Sequence, residues 1–108
     1  MSLNRYHMVG MAHDISKGYT VGCVLEPYHN AQGVLSQVAE VLEAYGQEFT
    51  VFPRSRRIVH NGQLTVFPST EYLPGMEYLP GTSFDVLVVP VHLNPDLYAG
   101  RSATVIEY

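Results

Sequence analysis

Seven apolar residues between positions 31 and 45 constrain this chain more than any other feature. Ala31, Val34, Leu35, Val38, Val41, Leu42 and Tyr45 recur at intervals of three and four, the spacing that lines side chains along one stripe of an α-helix. Gln32, Ser36, Gln37, Glu40 and Glu43 occupy the other side. Asn30 stands where an N-cap side chain accepts backbone N–H groups, and Gly46 where a chain leaves a helix in the left-handed conformation. The spacing therefore predicts an amphipathic helix over about 30–45. Burying its stripe against a sheet is worth roughly 1.5–3 kcal/mol per large side chain. The chain has 108 residues, which allows a single domain over 1–108.

The remaining segments read as strands. Tyr6–His13 and Tyr19–Leu25 mix apolar and polar residues with β character, and Asp14–Gly18 lies between them. They predict a β-hairpin with a five-residue connection. Gly10 and Gly22 inside these strands mark a bulge or a close approach of other atoms to the backbone. Beyond the helix, Glu48–Pro53, Arg56–His60 and Gln63–Phe67 form an antiparallel meander, with Asn61-Gly62 as a two-residue hairpin turn. Phe84–Val89 is a nearly continuous apolar run, the pattern of a doubly buried central strand. Pro90 interrupts it, Asn94-Pro95-Asp96 is a turn, and Ala103–Tyr108 is a last strand. The expectation is an α+β domain: one amphipathic helix on a mostly antiparallel, curved sheet of six or seven strands, in the order ββαβββ-loop-ββ.

Between the meander and the apolar strand, Glu-Tyr-Leu-Pro-Gly occurs at 71–75 and again at 77–81. Pro-Gly favours a type II turn, so two copies predict a long irregular loop. Tyr72, Leu73, Met76, Tyr78 and Leu79 make it too apolar for a solvated linker. Such a loop folds over its own core, over a ligand or against another subunit. Composition favours contact with other molecules. Charged residues are 15% of the chain and tyrosines number eight, whereas small domains ordinarily cover themselves with about 25% charge. Tyrosine joins an apolar ring to a polar tip and is enriched at interfaces. These features make the chain an expected partner of itself, as a homodimer or higher oligomer, or of another protein. Tyr72, Leu73, Met76, Tyr78 and Leu79 are the expected interface.

A second constellation points to an anion. A strand returning from Gly46 alongside the helix covers roughly 20 Å in six residues, and the helix itself is about 24 Å long. The turn carrying Arg54, Arg56 and Arg57 then arrives near His29 and Asn30 at the helix N-terminus. Three of the six Lys and Arg residues lie in that turn. Helix N–H groups and guanidinium groups together suit a phosphate or carboxylate. The alternative is that these arginines pair with Glu26 or Asp96, or face water.

The sequence also excludes several classes. No run nears the roughly 20 apolar residues that cross a membrane. Met1–Arg5 lacks the apolar core of a signal peptide, so the expected location is the cytoplasm. A net charge of −4 does not suit non-specific nucleic-acid binding. The five histidines lack metal-site spacing, no cofactor fingerprint is present, and Cys23 alone forms no disulfide. Cys23 is expected to be a small buried side chain. The primary expectation is a non-enzymatic interaction module. The alternative is a small-molecule-binding protein, or small enzyme, acting on an anionic ligand with His29 as its acid–base group.

Overall fold

The first element is a helix where a strand was expected. The computed structural model describes residues 3–26, 29–68, 84–93 and 102–108. Helix α1 spans Arg5–Ser16 and buries Met8, Met11, Ala12 and Ile15. Those positions follow the helical interval of three and four. Asn4 caps the helix: its side chain accepts from the backbone of Tyr6 at 2.9 Å and His7 at 3.3 Å. The His7 ring returns the contact by accepting from the Asn4 backbone N–H at 3.1 Å, a reciprocal capping box. Asp14–Gly18 therefore ends a helix rather than joining two strands, with Gly18 at φ +93°.

Strand β1, Thr20–Leu25, follows directly. Helix α2, Ala31–Ala44, lies where the apolar stripe placed it, burying Val34, Leu35, Val38, Val41 and Leu42. Asn30 is its N-cap, accepting from the Gln32 backbone at 2.9 Å. Next come β2 (Thr50–Phe52), a 3₁₀ turn (Pro53–Ser55), β3 (Arg57–Val59) and β4 (Gln63–Pro68), then β5 (Phe84–Val89) and β6 (Ser102–Glu107). The β2–β3–β4 meander is antiparallel as expected. Its second turn is longer than the expected two residues, because Val59 pairs with Gln63 and leaves His60, Asn61 and Gly62 between them.

All six strands form one sheet, in the order β2-β3-β4-β1-β5-β6. The α+β class and a six-stranded sheet backing the 31–44 helix are as expected. The sheet is mixed, however, rather than mostly antiparallel. Strands β4, β1, β5 and β6 run parallel, in register Gly22↔Thr65, Gly22↔Leu87 and Val88↔Ile106. The physical reason is α1. A helix before β1 removes the hairpin partner, so β1 takes both neighbours from distant segments of the chain.

Both helices share one core with one sheet face, which contributes Val21, Cys23, Leu25, Ile58, Leu64, Val66, Val86 and Val88. Val24, Phe84, Leu87 and Val89 form a second buried cluster, with Phe67 and Leu93 packed on it. Gly22 lies beneath this cluster. A Cβ there would stand 2.8 Å from the Leu87 side chain and 2.9 Å from the Phe84 ring, so close approach rather than a bulge explains this glycine. The 71–81 loop with Tyr72, Leu73, Met76, Tyr78 and Leu79, and the 94–96 turn, lie outside the described residues. Among the described residues no helix is long and apolar enough to cross a membrane.

Candidate functional site

Strand direction decides which residues meet. Because β4, β1, β5 and β6 are parallel, their carboxyl ends lie along one edge of the sheet. The antiparallel steps to β3 and β2 bring the end of β2 and the start of β3 to that same edge. Helix α2 starts there, following β1. Helix α1 starts there too, because its far end docks on the β3–β4 turn at the opposite edge through Gly62 N–H to Ile15 O at 2.7 Å. In open sheets of this kind the crevice beyond the strand ends, where successive connections leave in opposite directions, is where ligands bind. Strand β1 is that place: the chain passes to β4 on one side of it and then to β5 on the other.

Glu26 follows β1 directly. At 9% exposure it is the buried charged residue among those described, and a buried carboxylate needs partners. His92, beyond β5, supplies one: its Nε2 lies 3.3 Å from Glu26 Oε1, while its own side chain is 69% exposed. The Glu26 backbone carbonyl accepts from the His29 N–H at 3.0 Å, which turns the chain toward α2. Tyr108 closes the group. Its hydroxyl donates to the Val24 carbonyl at 2.6 Å, and its ring is buried. Backbone bonds of 2.9 Å (Tyr108 N–H to Val89 O) and 2.7 Å (Val91 N–H to Tyr108 O) hold it beside β5. The rings of His29 and His7 stand edge-on to it at 6.0 and 6.1 Å. Sequence reasoning named Glu26 only as an alternative partner for the arginines and gave His92 and Tyr108 no role at a site. The available signal was the carboxylate at the end of an apolar strand, Val-Gly-Cys-Val-Leu-Glu.

The arginine turn reaches the same edge, and the antiparallel return inferred from the sequence does occur. The Gln32 side chain, in the first turn of α2, donates to the Pro53 carbonyl at 3.0 Å. That contact places Pro53 and Arg54 beside Asn30, with Arg54 exposed. The other two arginines are deployed differently. Arg56 adopts the left-handed conformation at φ 53° and donates from Nε to the Val66 carbonyl at 3.2 Å. Arg57 pairs across the ladder with Phe52, and its guanidinium lies 5.0 Å from that ring. It points away from the helices, since its neighbour Ile58 faces their core and successive strand residues alternate faces. The expected site residues thus divide: Arg54, Asn30 and His29 lie along the α2 N-terminus, while Arg56 and Arg57 are held at the start of β3 by Val66 of β4 and Phe52 of β2.

Cys23 is buried at the centre of β1, and desolvation pushes its thiol up to about 12. It is a core side chain and not a thiolate nucleophile at neutral pH. Among the described residues no three His, Cys, Asp or Glu side chains gather in a way that could hold a metal ion. The arrangement offers a carboxylate acceptor with a histidine against it, and an exposed guanidinium beside the N-terminus of α2. No protein-family model matches the chain, and no curated protein matches it.

Proposed function

We propose that this domain binds a small anionic molecule at the carboxyl edge of its sheet. The supporting observation is the buried Glu26, held against His92 at the end of the strand where the chain's connections diverge. A carboxylate there accepts a hydrogen bond from a ligand hydroxyl or ammonium group. The ligand's phosphate or carboxylate goes to Arg54 and the first N–H groups of α2, where the helix dipole favours negative charge. His92, against the acceptor, and His29, at the start of α2, are the groups that can move a proton on a bound molecule.

The test is thermal unfolding against a panel of small phosphates and carboxylates, with and without a hydroxyl or amino group. A true ligand raises the midpoint saturably; at a hundred times its Kd the gain is about 2.7 kcal/mol. Arg54→Ala should abolish the gain while leaving the unliganded midpoint nearly unchanged. Glu26→Gln should weaken ligands that carry a donor group and spare those that do not. A panel without a saturable shift overturns the reading, and so does a shift that survives both substitutions.

A second reading, of an interaction module that associates with itself, is supported by the two most exposed large apolar side chains among the described residues. Tyr6 is 86% and Tyr45 68% exposed, and both border one groove on the helical face.

A further inference from the structure

We infer that the outer face of α1 and α2 is a self-complementary surface that takes a second copy of this chain, α1 of each protomer lying over α2 of the other. This rests on the second reading above and names the surface. Helices α1 and α2 pack side by side on one sheet face and run in the same direction, both starting at the carboxyl edge. Between them lies an open groove of about 620 Å³. Val9, Gly10 and Ala12 line it from α1 and Leu42 from α2, with Tyr6 toward one end and Tyr45 toward the other.

Gly10 indicates what the groove is shaped to receive. A glycine inside a helix costs about 1 kcal/mol relative to alanine. It is usually tolerated where another backbone must come close, yet a Cβ at Gly10 would meet nothing within 4 Å. The missing side chain therefore leaves open volume within the groove. A side chain from a second copy's α2 can enter such a volume. A two-fold interface requires each surface to complement itself.

Charge selects the arrangement. The exposed stripe of α1 runs Tyr6, Gly10, His13 and ends at Lys17, the only lysine in the chain. The exposed side of α2 carries Glu40 and Glu43 near its end. A two-fold axis parallel to the helices, midway between them, sets α1 over the partner copy's α2 in the same direction. Lys17 and His13 then meet Glu40 and Glu43, and Gly10 faces an earlier turn of the partner copy's α2. Setting each helix over its own counterpart brings like charges together and is disfavoured.

Sedimentation velocity tests this on the full chain from about 1 µM to about 1 mM, which spans micromolar to millimolar dissociation constants. The wild type should pass from monomer to dimer. Gly10→Gln fills the groove with a better helix former, so it should stay folded and weaken the dimer at least tenfold. Lys17→Glu alone and Glu40→Lys with Glu43→Lys alone should each sediment as monomers. Mixed in equal amounts, those two variants should recover the dimer, because position 17 of each copy again faces charge of the opposite sign at positions 40 and 43 of the other. A wild type that stays monomeric overturns both the surface and the association reading. A wild-type dimer indifferent to Gly10→Gln, or a mixture that stays monomeric, overturns this surface and leaves association to another part of the chain.

Discussion

Cys23 and Asp14 show how one side chain's surroundings set its chemistry. Cys23 lies inside β1 between two strands, and burial raises its thiol to about 12. Native protein at neutral pH should therefore leave a thiol reagent such as 5,5′-dithiobis(2-nitrobenzoate) unreacted, with one equivalent consumed only on unfolding. Asp14 sits in the last turn of α1, bordering the helical groove, and partial burial raises its carboxyl above the usual value against the opposing pull of His13 and Lys17. A raised carboxylate makes the ionised form the costly one in the fold. That cost is fully present above the folded value and vanishes below the unfolded one. Asp14→Asn should therefore raise the melting temperature at pH 7, and the difference from wild type should shrink as pH falls through the carboxylate range. The result also bears on the helix end, where the dipole disfavours an acid.

At the scale of elements, the sequence was most legible where one period dominated. In α2 the stripe, the Asn30 cap and the Gly46 exit all agreed, and the helix formed within those bounds. In α1 they conflicted. Met8, Met11, Ala12 and Ile15 carry the helical interval, but Val9 and Gly10 blur it, and tyrosine and histidine lend the segment β character. The deciding signal was Asn4 with His7 three residues on, a cap whose second half uses histidine instead of the usual Glu or Gln. Asn61-Gly62 likewise marked a turn, but its length was set by tertiary contact. Asn61 Nδ2 donates to Ser16 O at 3.0 Å, and the Gly62 and Gln63 N–H groups donate to Ile15 and Tyr19 carbonyls. This hairpin serves as the cap for the end of α1. A Cβ on Gly62 would collide with the Tyr19 carbonyl oxygen. Gly62→Ala should therefore cost about 3 kcal/mol or more, at the high end for one substitution, measured by urea unfolding. A loss below 1 kcal/mol would show that the turn yields easily.

Over the whole molecule, the order of strands was the least legible feature, because parallel pairing leaves no local mark. Phe84–Val89 was recognisable as a doubly buried strand from composition alone. Nothing in its residues said that its neighbours would be β1 and β6, or that all would run the same way. The candidate site was half legible for the same reason. The approach of Arg54 to the start of α2 followed from element lengths, since β2 returns along α2 directly. Glu26, His92 and Tyr108 come together only once three parallel strands are aligned.

That alignment governs how the chain reaches its fold. Strand β1 sits fourth of six, and Gly22 lies opposite Thr65 on one side and Leu87 on the other. The local β2–β3–β4 meander can form early, since its loops are short. The central strand must wait for two long loops to close, each with an entropy cost incurred before any ladder bond compensates it. Refolding should therefore be slow for so small a chain, and the barrier should lie where β1 joins the meander. Once β5 has docked as well, β1 has no free edge left from which the sheet can unzip.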